Sequence, residues 1–335
     1  MDIATLPKVE LHLHLDCSLS FRVVKNLNPA ISPEEYRRHF IAPPKCADLA
    51  DYITRAVAAI DLMQTEAALR LVTADLFEQL KADHVIYAEI RFAPLEHTKK
   101  GLSPEAVVQA VQEATAQASK QMAIPAGLIL CTLRHYSEAQ SMETVRLVEQ
   151  FRGTPVVGFD IASDEAGFPV DNHIAAFRYA HEKGIPCTAH AGEARGADSV
   201  WETLKYFKPR RIGHGVRSTE DPALMDFLKK ENIHLEVCPT SNIQTNVYAR
   251  ITDHTADKIY RSGVSLSINT DARTISDATL NGEYQALHDV FGWEDRHFLR
   301  CNLEAVEHAF APETLKADLR QRLWQAFEHP GPVRR

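Results

Sequence analysis

Short apolar runs bounded by turn residues recur along the chain at 9–15, 85–92, 127–133, 156–162, 187–191, 211–213, 234–238 and 265–269. Their length and their flanking breakers read as eight β-strands. The stretches between them carry helical spacing instead. Leu69, Val72, Leu76 and Leu80 share one helical face, and Val107, Val108 and Val111 follow Ser103 and Pro104, an N-cap and first helical position. Ser137 and Gln140 have the spacing of a capping box. Strands that alternate with helices predict a parallel sheet, because a parallel return needs a crossover. Eight of them favour closure into a (β/α)8 TIM-type barrel over an open doubly wound sheet. Residues 19–84 form a long insertion after strand 1, read as a helical cap over the barrel mouth, and residues 329–335 read as a frayed tail.

Composition bounds this picture without changing it. The 335 residues are 45% hydrophobic and 24% charged, which excludes a disordered or coiled-coil chain. One α/β barrel with an insertion accounts for the length, so residues 1–335 are expected to be a single domain. A formal charge of −8 and the lack of any long basic run argue against a nucleic-acid partner. No apolar stretch reaches the roughly 18 residues of a membrane span, and residues 1–9 lack the apolar core of a leader, so no membrane partner and a cytoplasmic location are expected. Six cysteines without a C-x-x-C pair read as buried reduced thiols. Neither G-x-G-x-x-G nor G-x-x-x-x-G-K-[ST] occurs, which leaves nucleotide-fold chemistry without support.

In a barrel the reactive groups come from the C-terminal ends of strands. Strand 1 ends in His12-Leu13-His14-Leu15-Asp16, strand 5 in His190-Ala191-Gly192-Glu193, strand 6 at His214-Gly215 and strand 8 at Asn269-Thr270-Asp271. His12 and His14, two apart, share one face of a strand. With His190 and Asp271 they make three nitrogens and one carboxylate, a set suited to one catalytic Zn²⁺ that retains an open position for water. Zinc there would lower the pKa of a bound water to about 7. Glu193 is placed to donate or accept a proton beside that water, and His214 offers a second titratable group. His84, His97, His173, His181, His254, His288, His297, His308 and His329 read as surface or packing residues. The H-x-E match at His234-Leu235-Glu236 lacks the P-C-x-x-C partner of cytidine-type zinc deaminases and carries no weight.

These residues resemble the adenosine deaminase family of the amidohydrolase superfamily from residue 6 to about residue 323. The blocks are residues 11–16, Tyr87-Ala88-Glu89-Ile90-Arg91, Thr188-Ala189-His190-Ala191-Gly192-Glu193, Arg211-Ile212-Gly213-His214-Gly215, Glu236-Val237-Cys238-Pro239-Thr240-Ser241-Asn242 and Asn269-Thr270-Asp271. The resemblance implies a zinc held by His12, His14, His190 and Asp271, and hydrolytic deamination of adenosine or 2′-deoxyadenosine to inosine or 2′-deoxyinosine and ammonia. Glu193 would protonate purine N1, while His214 and Asp271 would orient and deprotonate the attacking water. The backbone N–H of Ser163 would meet purine N3, and Asp16 the ribose 5′-hydroxyl; His14 lies next to the substrate as well as the metal.

Three positions depart from the family pattern. Ala272 stands where a second aspartate normally meets purine N7, Cys17 replaces a glycine after Asp16, and Ser163 replaces another glycine. The departures cluster around base and sugar recognition. Arg273 or a water is expected to stand in at N7. Another 6-aminopurine nucleoside such as aminodeoxyfutalosine, or a nucleoside-binding pseudoenzyme, are the alternative readings. AMP is disfavoured because no Lys or Arg cluster marks a phosphate site, and free adenine because Asp16 is present to hold a 5′-hydroxyl.

Overall fold

A computed structural model describes residues 2–328; the tail expected at 329–335 lies outside the described residues. Eight parallel strands appear in chain order: β1 (Lys8–His14), β2 (Val85–Phe92), β3 (Ala126–Leu133), β4 (Val156–Ala162), β5 (Thr188–Ala191), β6 (Arg211–His214), β7 (His234–Val237) and β8 (Leu266–Ile268). Strands β1 to β4 pair in sequence, as do β5 to β8. Two seams join these halves into a closed barrel. At one, Phe159 bridges Cys187 in parallel and its N–H donates to the Pro186 carbonyl (3.0 Å). At the other, the Asp271 N–H donates to the His12 carbonyl (3.0 Å) and the His14 N–H donates to the Asp271 carbonyl (2.8 Å). The Asn269 side chain extends this second seam by accepting from the Leu11 and His12 N–H groups.

The local signals in the chain produce the expected helices. Ser103 caps the helix Pro104–Met122 by accepting from the Ala106 N–H, and Ser137 with Gln140 forms a capping box on Glu138–Gln150. Leu69, Val72, Leu76 and Leu80 are fully buried on one face of the helix Glu66–Ala82. Between β1 and β2 lie five α-helices, of which Leu49–Ile53 and Ala56–Leu62 contribute side chains to the wall of the central cavity. All six cysteines are unpaired; five are buried and Cys17 is half-buried.

The barrel departs from the usual aliphatic filling. Glu89, Arg91, Asp160, Arg211 and Glu236 are all fully buried. Arg211 bridges Glu89 (2.6 Å) and Glu236 (2.7 Å), while Arg91 bridges Glu236 (2.7 Å) and Asp160 (2.8 Å). Each buried charge is therefore paired, the condition under which its desolvation is offset. This ion-pair chain ends beneath the histidines at the strand tips. Gly213 on β6 makes room for them, since a Cβ there would sit 2.9 Å from His12 Cε1 and 3.2 Å from His190 Cγ.

Candidate metal centre and active site

One ligand atom each from His12, His190, His214 and Asp271 lies within 4.8 Å of the others, and all four residues are buried. His14 joins them, its Nε2 being 3.2 Å from His190 Nε2 and 3.4 Å from Asp271 Oδ1. Strand periodicity brings His12 and His14 to the same side of β1. The β1–β8 seam holds Asp271 against both. His214 and Asp271 have left-handed backbones, with φ of +62° and +63°. Such conformations cost a non-glycine residue about 1–2 kcal/mol and persist where the surroundings over-determine them, commonly at functional sites.

Three of the four strand-end imidazoles have a carboxylate behind them. Glu236 faces His12 Nδ1 at 2.9 Å and Asp160 faces His190 Nδ1 at 3.1 Å; Asp16 lies 4.0 Å from His14 Nδ1. A carboxylate can only accept, so the two short contacts hold the proton on Nδ1 and leave the Nε2 lone pair for a metal. His12 Nε2 is buried without a hydrogen-bond partner. A desolvated lone pair with no donor is unfavourable, and a cation among these atoms would satisfy it. Three imidazole nitrogens and a carboxylate suit zinc in type and number. The residue patterns of β4 and β7 held a hint of Asp160 and Glu236, charges inside apolar runs, but their partners lie on other strands.

Glu193 stands beside this cluster, its Oε2 3.4 Å from His214 Nε2. Burial, with the negative charges of Asp271 and Glu165 adding to it, pushes the Glu193 carboxyl well above its ordinary range. Both effects favour its acid form. Burial also drives the His214 imidazole well below its usual value, with the neighbouring His12 acting in the same direction. The Glu193 loop is shaped by a residue that the motif reading passes over. Glu165 accepts from the backbone N–H groups of Gly192, Glu193, Ala194 and Arg195 at 2.8, 3.0, 2.6 and 2.9 Å, and from the Ser199 hydroxyl. Ser241 donates to Asp271 Oδ2 at 2.7 Å.

These groups open into a cavity of about 520 Å³ lined also by Asp16, Cys17, Ser163 and Ala272, a size typical of small-molecule sites. Asp16 accepts from the Ala93 N–H (3.1 Å). Ser163 has a φ of +84°, which explains why glycine is at home in this position. Ala272 packs in an apolar cluster with Leu49, Tyr52 and Ile275. Arg273, expected as a substitute at N7, is committed elsewhere: its guanidinium pairs with Glu10 and Asp83 at 2.6 Å each, and it does not line the cavity. Two histidines read as packing residues touch site groups. His97 Nε2 is 3.7 Å from Asp16 Oδ2, and His254 Nε2 is 3.2 Å from Asn242 Oδ1. The charged lining includes Asp16, Glu96 and Asp164, with no lysine or arginine among the described residues.

A parallel barrel that gathers imidazoles and two buried carboxyl groups at its strand ends is the architecture of a metal-dependent hydrolase. The chain belongs to the adenosine deaminase family: the family model described as adenosine deaminase matches residues 7–326. An adenosine deaminase of Clostridium acetobutylicum is 33% identical, with 96% of this chain and 98% of that protein covered. The crystal structure of an adenine deaminase from Arthrobacter aurescens superposes with a TM-score of 0.89 at 26% identity, covering 96% and 99% of the two chains. An amidohydrolase from Burkhoderia ambifaria, solved with bound Zn, shares the fold with a TM-score of 0.89 at 22% identity, covering 97% of this chain and 92% of that one. No helix of the described residues is long and apolar enough to cross a membrane.

Proposed function

We propose that this protein is a zinc-dependent aminohydrolase that converts adenosine and 2′-deoxyadenosine to inosine and 2′-deoxyinosine with release of ammonia. The observation that carries this reading is the meeting, at the bottom of one cavity, of a metal-ligating cluster with the buried Glu193 carboxyl, 3.4 Å from His214 Nε2. His12, His14, His190 and Asp271 would hold one zinc ion. Zinc bound by these donors supplies a Lewis acid that brings the pKa of a water down to about 7.

Glu193 gives its proton to ring nitrogen N1, which makes C6 electrophilic and keeps negative charge off the purine. The water oxygen bonds to C6, Asp271 takes the water's proton, and His214 holds the oxygen in line. The C6–N6 bond then breaks, the exocyclic nitrogen leaves as ammonia with the proton that Asp271 returns, and the remaining hydroxyl proton goes back to the Glu193 carboxylate, leaving the 6-oxo ring with its proton on N1. Asp16 serves the 5′-hydroxyl and the Ser163 backbone N–H serves N3. The acidic, cation-free lining favours a nucleoside over a nucleotide. We further read residues 1–335 as one catalytic barrel domain with 19–84 as its cap, working in the cytoplasm with a nucleoside and water as its partners.

The test is ammonia release by zinc-loaded protein from adenosine, 2′-deoxyadenosine, adenine, AMP and aminodeoxyfutalosine. Adenosine and 2′-deoxyadenosine should be turned over, AMP and adenine at least tenfold less efficiently, and Glu193→Gln should abolish turnover. Better turnover of aminodeoxyfutalosine than of adenosine would reassign the substrate. If none of the panel releases ammonia although one zinc is bound per chain, the deaminase reading is wrong.

A further inference from the structure

A buried file of four hydrogen-bonding groups runs from the backbone to the active site, and its direction is set at its far end. The Ala256 N–H points at His254 Nδ1 (3.1 Å), His254 Nε2 faces Asn242 Oδ1 (3.2 Å), and Asn242 Nδ2 faces His214 Nδ1 (3.1 Å). His214 Nε2 then meets Glu193 Oε2 at 3.4 Å. His254, Asn242 and His214 are all buried, so water cannot readily exchange into the file.

A backbone N–H can only donate, so His254 Nδ1 must accept. Burial lowers the His254 pKa to about 3, which keeps the ring neutral with its single proton on Nε2. That N–H requires an acceptor, which assigns the Asn242 oxygen to His254 and the Asn242 amino group to His214. The amino group can only donate, so His214 Nδ1 accepts. The remaining His214 proton therefore sits on Nε2 and faces the site.

We propose that Asn242 and His254 are positioning residues that lock His214 in its Nε2–H form, so that it enters the reaction as a hydrogen-bond donor to the attacking oxygen while proton removal falls to Asp271. This division of labour sharpens the deaminase reading and rests on it for its kinetic consequence; the tautomer itself does not. The proposal also gives a reason for the CPTSN segment. The helix Pro239–Gln244 carries both Ser241, which donates to Asp271, and Asn242, which donates to His214.

Asn242→Asp is the direct perturbation. It is nearly isosteric, but a carboxylate in place of the amide can only accept, which would draw the His214 proton onto Nδ1 and present a bare Nε2 to the site. Nitrogen-15 NMR of zinc-loaded, histidine-labelled protein reads the two ring nitrogens, with the His214→Gln variant identifying the resonances. We expect an acceptor-type Nδ1 and a protonated Nε2 in the parent, and the reverse in Asn242→Asp. Kinetically, kcat for adenosine should fall by about 10²- to 10³-fold, the usual effect of losing one preorganised donor, with KM changed less than threefold.

His254→Leu and His254→Gln provide a second arm should Asn242→Asp fail to fold. Leucine removes the orienting donor and should leave both tautomers populated, whereas glutamine can still donate to Asn242 Oδ1 and should restore the parent pattern and most of the lost kcat. A parent spectrum with Nδ1 protonated overturns the proposal, as does an unchanged spectrum and kcat in Asn242→Asp or in His254→Leu. If the spectra behave as expected but no variant or parent releases ammonia, the tautomer lock stands and the deaminase reading falls.

Discussion

Glu165 offers the sharpest test of how the Glu193 loop is held. Its Oε2 accepts three backbone N–H groups and its Oε1 accepts a fourth together with the Ser199 hydroxyl. Glu165→Gln keeps the shape but supplies only one oxygen. Kept on the three-donor side, that oxygen leaves the new amino group opposed to the Gly192 N–H. One buried donor is then orphaned, at about 1–3 kcal/mol, and three charge-assisted bonds become neutral ones of roughly half the strength. The sum is a loss of about 3–5 kcal/mol, within the 5–15 kcal/mol of a typical fold. The zinc-loaded variant should therefore stay folded at 25 °C but melt lower by about 6–10 °C, taking about 2 °C per kcal/mol for a chain of this size.

The same change removes a negative charge that helps to raise the Glu193 carboxyl. Glu193 works in its acid form, so activity is retained below its pKa and lost above it. Taking away Glu165 lowers that pKa, and the alkaline limb of the kcat–pH profile should move to lower pH. Differential scanning calorimetry and a pH–rate profile on adenosine read the two effects. A melting temperature within 1 °C of the parent together with an unmoved alkaline limb would refute the role given to Glu165.

Three further outcomes follow from the geometry. Ser163→Gly should raise stability by about 0.5–1 kcal/mol, because relief of a left-handed φ outweighs the added freedom of the unfolded chain; urea unfolding measures it, and a loss would mean that the Ser163 side chain contributes more than its backbone strain costs. Ala272→Asp restores an acceptor beside Asp271 and should raise kcat/KM for adenosine up to about tenfold, the worth of one hydrogen bond, while the added buried carboxylate lowers stability; an unchanged or reduced kcat/KM would mean that N7 is met by another group. Burial lowers the pKa of His173 to about 4 and of His254 to about 3, against about 6.5 when unfolded. Their neutral forms contribute stability that is complete above pH 6.5 and is lost as pH falls toward the folded values, so His173→Gln should flatten the loss between pH 6 and 5 by about 1.4 kcal/mol per pH unit, and a slope equal to that of the parent would contradict the shift.

The period-two spacing of His12 and His14 and the polar residues ending the apolar runs were enough to single out the groups that converge at the barrel mouth. Those signals are local: strand alternation, caps and breakers act within a few residues. Asp160 and Glu236 stood out only as charges inside apolar runs, and neither they nor Glu165 could be given a role, because a charge in or beside a strand says nothing of which loop or imidazole it will face. Arg273 is the converse case. Its adjacency to Asp271 suggested substrate contact, yet Glu10 and Asp83, 263 and 190 residues away in sequence, hold its guanidinium in the protein interior.

By itself, then, the order of apolar runs and chemical groups determined a parallel α/β barrel, a zinc-suited set of side chains and an acid beside it. The tertiary structure alone decided which carboxylate backs which histidine, how Glu165 gathers four backbone donors around Glu193, and which way the proton on His214 points. The physical reason is closure of the barrel. Register across the seams brings residues from distant strands to hydrogen-bonding distance, and in a buried interior each donor must find its acceptor, so protonation states follow from contacts that no local pattern encodes.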